Sequence, residues 1–588
     1  MARKLRDVIR DWSPEQLTGL DAMFLNAESP RTPMHIGACA IYDPSTSPEG
    51  FVRFKDILKF VEGRTERAKT FTQKLKHLPL DIDYPYWIED TNFDIEFHIR
   101  HIALPAPGDW RQLCIQVARL HARQLDLAKP MWEFTVVEGL DNIPNIPKGS
   151  YAIVSKVHHC AIDGASGVDI SEAIHTLTPE VHDEERAADK RMRRRDIGLP
   201  EMLARTNFNY STRPFRAMNV SRRLVPGALK WASGITRGEF NMLGANVPRT
   251  RFNGQVSPHR VFESVTFDLK DIKKIRQRVE GATVNDAILA VVGGGMRRYL
   301  KAKDELPPES LIAMAPLSVR SKNEKNSMGN QVSAMAIPVG THINDPIKRL
   351  HFTHEEAGRS KAMSNAVGAR EMSEAAKLSP AMISGISTRL YSRLGLANRL
   401  SPMFNMVVTN VPGPQVPLYM AGAQMVKSFG IGPVMDSMGL FQAVTSYCGE
   451  VSITITACRD MMPDPSFYAA CLQESFDELL EAATAQQPKR EDEATVIDIE
   501  PVKASTGFDD LTAINGVGKT LAKKLHDAGL RSFADIAGLS MEQATRLDAE
   551  LKLRGRIMRD QWIAQAAALV SGERSPQSPN PETSSSVH

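Results

Sequence analysis

Seven consecutive residues carry the most suggestive chemistry in this chain: His158-His159-Cys160-Ala161-Ile162-Asp163-Gly164. Near neutral pH an unprotonated imidazole can accept a hydroxyl proton as the oxygen attacks a carbonyl, which contributes about 10²- to 10⁴-fold as general-base catalysis. Side chains alternate faces along an extended strand, so the two imidazoles cannot serve one site. One ring faces a cleft and the other packs. Alternation alone leaves open whether His158 or His159 faces the cleft, while Asp163, four positions after His159, can brace the loop through a cation or backbone donors, and Gly164 completes the turn. A metal centre is not expected, because adjacent strand histidines diverge and neither HExxH nor paired-cysteine spacing occurs. Cys160 lacks flanking groups that activate a thiolate and reads as a small buried filler.

These residues need a scaffold of strands and helices. Ser13-Pro14-Glu15-Gln16 reads as a capping box opening a helix through Leu25. Strands are expected over 34–43, 93–104, 132–140 and 151–157, with helices over 113–125 and 166–177. A second mixed unit follows, with strands at 264–269, 311–317, 332–339, 403–411 and 451–457. Its helices fall at 271–279, 283–300, about 345–376 and 464–485, and Thr283-Val284-Asn285-Asp286 forms a capping box. The expected domains are 1–180, a basic connector 181–258, 259–485, a linker 486–507, a small helical module 508–570 and a disordered tail 571–588.

With 588 residues, 42% hydrophobic and 24% charged, the chain exceeds one core and has the composition of a globular protein. No window resembles a membrane-spanning helix, and the charged N-terminus lacks a secretory h-region, so a cytoplasmic location is expected. Six scattered cysteines fit reduced thiols. Net charge is only +3, but residues 190–237 hold twelve basic and two acidic side chains, a local +10. Interleaved Phe208, Tyr210, Phe215, Leu224 and Trp231 suit a peripheral association with an anionic membrane or lipid-droplet surface. The alternative is a solvated linker.

The HHxxxDG segment resembles the active-site motif of the bacterial wax ester synthase/diacylglycerol acyltransferase family, relatives of chloramphenicol acetyltransferase and condensation domains. The likeness spans about residues 10 to 480. It includes Leu17 to Phe24, Asp126-Leu127-Ala128-Lys129-Pro130-Met131-Trp132-Glu133, Asn253-Gly254, Asn285-Asp286, Pro316-Leu317-Ser318-Val319-Arg320, Gly329-Asn330-Gln331 and Asn410-Val411-Pro412-Gly413-Pro414, in family order. The resemblance implies an α/β (α+β) fold of two chloramphenicol acetyltransferase-like domains with a tunnel at their interface. It also implies long-chain acyl-CoA as donor substrate, a fatty alcohol or diacylglycerol as acceptor, and no cofactor. His159 then corresponds to the catalytic base and Asp163 to a structural brace, with Arg320 as its candidate partner. Asn285, near a helix start, is a candidate for holding the oxyanion, with Asp286 in support; capping alone is the simpler alternative for this pair.

Residues 511–536 and 555–562 resemble a helix-hairpin-helix domain. Nine basic residues face eight acidic ones between 508 and 570, a weak footprint for nucleic acid, so a protein partner is favoured. Two rival functions are condensation from a carrier-protein thioester, or onto a glycolipid or polyketide alcohol, and a non-catalytic lipid-droplet or nucleoid tether.

Overall fold

The computed structural model describes residues 14–162, 166–181, 196–236, 247–318, 332–367, 390–485 and most of 509–571. Asp163, Gly164 and Arg320 lie outside the described residues, as do Val319, Gly329-Asn330-Gln331 and the linker and tail. The chain divides into two units, 1–486 and 487–588.

Strands of the first unit are β1 (His35–Asp43), β2 (Gln73–Lys76), β3 (Tyr86–Glu89), β4 (Ile99–Ala103), β5 (Trp132–Glu138), β6 (Tyr151–His158) and β7 (Arg260–Asp268). They continue with β8 (Ile312–Ser318), β9 (Val332–Pro338), β10 (Met406–Pro412), β11 (Tyr419–Met420), β12 (Ala423–Ile431), β13 (Leu440–Tyr447) and β14 (Glu450–Cys458). One mixed sheet has the order β11-β12-β1-β6-β5-β4, the other β7-β14-β13-β10-β8-β9, and β2 pairs with β3 apart from both. Alternation along β6 sends Tyr151, Ile153 and Val157 into one core and Ala152 and Val154 into another. Burying each such aliphatic side chain contributes about 1.5–3 kcal/mol. His158 closes this strand opposite His35 of β1.

The two sheets are not sequential domains. β12 crosses from the C-terminal half to pair antiparallel with β1, so residues 419–431 complete the N-terminal sheet. The expected division at 180 and 259 therefore fails, because those strands come from a Gly- and Met-rich stretch without clear alternation. Arg31 locks the halves further, donating to the Val256 carbonyl at 2.9 Å and to Ser392 Oγ at 2.8 Å, beside Asp436.

Helices in chain order are α1 (Gly19–Ala27), α2 (Phe54–Glu62), α3 (Ile95–His98), α4 (Trp110–His121), α5 (Ser166–Ile174), α6 (Leu199–Thr236), α7 (Leu269–Arg276), α8 (Val284–Lys301), α9 (Pro346–Val367) and α10 (Pro465–Thr484). The first starts later than expected. Glu15 and Leu17 instead pair through their backbones with Trp87 and Pro85, and Thr18 is the cap, accepting from Asp21 N. The expected strand over 93–104 is likewise shortened, since Asp94 caps the helical turn α3 by accepting from Glu96 N at 3.0 Å. The connector is also corrected: it contains α6, 38 residues long despite Pro214 and Pro226, and its end belongs to the second core through buried Phe252 and Val256.

The second unit, described by itself, has helices α11 (Lys519–Asp527), α12 (Phe533–Ala537), α13 (Arg556–Arg559) and α14 (Trp562–Ser571) around Leu511, Ile514, Leu525, Ile536 and Trp562.

Three buried imidazoles fix the acid stability of the first unit. Burial holds His35 well below its usual range, His121 at about 3 and His175 at about 4. Unfolded, each binds a proton near pH 6.5, so the unfolded state binds more protons below that point. The stability from keeping them neutral is present above pH 6.5 and is lost as pH falls toward 4. Thermal unfolding at pH 7.5, 6 and 5 is expected to show a falling Tm, steepest below 6.5; a Tm constant to pH 5 would contradict these environments.

Candidate active site

The histidine pair sits where β6 ends and a single 3₁₀ turn, His159–Ala161, begins. Backbone hydrogen bonds from both flanking strands grip it. His158 N donates to the Met131 carbonyl at 2.9 Å, and His159 N donates to the Met34 carbonyl at 2.8 Å. The Pro130-to-Glu133 segment is thereby structural as well as a signature. Trp132 is fully buried with Nε1 donating to the Phe71 carbonyl, and Glu133 pairs with buried Lys156 at 2.9 Å.

The two rings have opposite environments, as alternation requires. His158 is wholly buried; its Nε2 lies 2.6 Å from Glu28 Oε2, and its Nδ1 accepts from Cys160 N at 3.1 Å. His159 is half-buried and stacks face to face on Phe24 of α1, with centroids 3.7 Å apart and planes 10° apart. Its Nδ1 is buried without a hydrogen bond to any described residue. Burial lowers its pKa to about 4, so the ring is neutral near pH 7. Cys160 is buried against His158 and Met131, and burial pushes its thiol well up, which disfavours a nucleophilic thiolate.

Across the unit, α8 begins with the expected capping box. Asp286 N donates to Thr283 Oγ1 at 3.2 Å, and Thr283 N donates to Asp286 Oδ2 at 2.8 Å. Asp286 Oδ2 also meets His354 Nδ1 at 2.9 Å. Asn285 takes no part in the cap; its Oδ1 accepts from Asn410 Nδ2 at 3.3 Å. Two family-like segments, separated by 125 positions, thus meet side chain to side chain. Asn253, in another such segment, is structural: it is buried and bonded to Thr250, Asn405, Phe404 and Ser437.

Sequence reasoning missed Glu28, Phe24 as a ring platform, and His354. Phe24 lay within the quoted N-terminal segment, but nothing local pairs it with residue 159. Neither of two described surface cavities, one beside Phe60 and Arg64 and one beside Tyr86 and Phe208, includes His159 or Asn285. No group of three potential metal ligands occurs among the described residues, nor is any described helix long and apolar enough to cross a membrane.

Two interlocked mixed sheets, with a histidine turn at a strand end, form a fold shared with condensation domains. The resemblance extends to solved structures: the wax ester synthase/diacylglycerol acyltransferase of Marinobacter aquaeolei aligns with a TM-score of 0.55 at 24% identity, over 80% of this chain and 99% of that one. The first condensation domain of the calcium-dependent antibiotic synthetase aligns at 0.50 with 13% identity, over 80% and 96%. Residues 17–288 match the wax ester synthase/diacylglycerol acyltransferase catalytic domain and residues 328–480 the C-terminal domain of that family. A putative diacylglycerol O-acyltransferase of Mycobacterium tuberculosis is 30% identical over 475 residues, 80% of this chain and 91% of the relative. The O-acyltransferase WSD of Acinetobacter baylyi is 29% identical over 485 residues, 80% and 97%. This chain belongs to the wax ester synthase/diacylglycerol acyltransferase family and is an O-acyltransferase acting on alcohol or diacylglycerol acceptors. Its family uses acyl-CoA as substrate. Residues 511–570 match a helix-hairpin-helix domain.

Proposed function

We propose that His159 is the general base of a direct transfer from long-chain acyl-CoA to a fatty alcohol or diacylglycerol held in one ternary complex. The carrying observation is a neutral, half-buried ring whose Nδ1 is turned inward. With Nδ1 turned inward, we assign the ring proton to Nδ1 and the lone pair to Nε2, the nitrogen left to meet the acceptor. That nitrogen takes the acceptor's hydroxyl proton as the oxygen attacks the thioester carbonyl. The tetrahedral intermediate then expels the CoA sulfur, which recovers the proton from His159, leaving an oxygen ester and free CoA. His158 and, beyond the described residues, Asp163, Gly164 and Arg320 are assigned to holding the loop, and Asn285 to the oxyanion. The direct test supplies palmitoyl-CoA with hexadecanol or a diacylglycerol and no carrier protein. Ester from both acceptors is expected; product only with a carrier-bound donor would favour condensation-type transfer.

Peripheral binding to an anionic lipid surface belongs to the same reading. On α6, Phe208 is 64% and Phe215 67% exposed, and Met218 and Arg222 continue the same helical face. Sedimentation with anionic vesicles is expected to capture the enzyme, and F208S/F215S to reduce capture several-fold. Equal capture of both would leave this face without that role. The helix-hairpin-helix unit is assigned to a protein partner, not to nucleic acid.

A further inference from the structure

We propose that Glu28 is a positioning residue of the transfer reaction, acting through His158 to set the turn that presents His159. It rests on His159 being the base. Glu28 caps the C-terminal end of α1, and its side chain is 3% exposed. Its Oε2 lies 2.6 Å from His158 Nε2, while its Oε1 accepts from Gln124 Nε2 at 3.2 Å.

The far side of the imidazole fixes the direction of every bond in this chain of contacts. A backbone N–H can only donate, so the 3.1 Å bond from Cys160 N makes His158 Nδ1 an acceptor without a proton. The ring's proton is therefore on Nε2 and points at Glu28. With that proton anchored, Nδ1 stays available to cap the 3₁₀ turn His159–Ala161. Remove the carboxylate and the ring can adopt the other tautomer, whose Nδ1–H opposes the Cys160 N–H and releases the turn. The same helix carries Phe24, the platform under His159, so α1 fixes the base from its face and from its backbone together.

A displacement of the base by about 1 Å is enough to lower turnover about 10²-fold. E28A in the full-length enzyme is therefore expected to lose about 30- to 100-fold in kcat with KM for acyl-CoA and alcohol unchanged within about twofold. E28Q keeps an oxygen that accepts from Nε2–H while Gln124 turns its amide to match, and is expected to recover kcat to within about fivefold of wild type. E28A/H158A should be no worse than the poorer single variant, since both break one chain of contacts. Should E28A fail to fold, E28D retains the charge but withdraws the oxygen, and an approximately tenfold kcat loss carries the test. Wild-type kcat in E28A or E28D, a loss appearing in KM, E28Q no better than E28A, or additive losses in the double variant would each overturn the proposal. H159A measured alongside separates the readings: an active H159A defeats the base assignment, whereas an inactive H159A with fully active E28A defeats only this one.

Discussion

H159A is expected to reduce kcat for ester synthesis by about 10²- to 10⁴-fold, the range that a positioned general base supplies. KM for either substrate should stay within about twofold, because the ring is asked to move a proton rather than to bind. The protonation state makes a second, sharper demand. Burial against Phe24 lowers the His159 pKa to about 4. Protonation removes the base, so kcat should stay level from pH 7 to about 5 and fall only as pH drops through about 4. An ordinary imidazole would begin failing near 6.5. F24A opens one face of the ring to water, relieves the desolvation, and should move the acid limb upward toward 6.5 with a smaller loss at pH 7.5. Enzyme exposed to each pH and returned to 7.5 for assay separates reversible protonation from the acid unfolding expected of His35, His121 and His175. A wild-type acid limb at 6.5, or ester synthesis undiminished in H159A, would remove His159 from the role.

The divergence of the two histidines was legible because it follows from strand alternation alone: His158 ends β6 in packing and His159 turns toward α1. Capping of α8 was legible for a similar reason, since Thr283 and Asp286 are three positions apart and need no distant partner. Glu28 was not. It lies 130 positions from His158, and a lone glutamate after a helix carries no periodic or motif signal. The crossing of β12 was hidden too, because its pairing with β1 joins segments nearly 400 residues apart and Gly430 and Gly432 interrupt the apolar pattern. The connector was read from its shift to a charged, basic composition, which gave no sign that it holds the helix α6. Local chemistry was readable, and pairings made only by the fold were not.

The asparagine pair gives the second large expectation. Residue 285 stood between two sequence readings, a helix cap and an oxyanion donor, and the cap is taken by Thr283 and Asp286. With its Oδ1 accepting from Asn410, the Asn285 amide keeps its NH₂ for another partner, which in the proposed reading is the developing negative oxygen. N285A is therefore expected to lower kcat about 10²- to 10³-fold, the effect of losing one such donor, with little change in KM. D286A breaks the cap and the 2.9 Å contact with His354, so its effect should be on stability, about 1–2 kcal/mol, with kcat within about threefold once folded. In this reading Asn410 acts by orienting its partner. N410A should lose less than N285A, and N285A/N410A should match N285A alone, because the second deletion removes a contact that no longer exists. If N285A instead lowers Tm as much as D286A while keeping kcat, the side chain is a structural bridge between α8 and β10, and the oxyanion must be held by other donors.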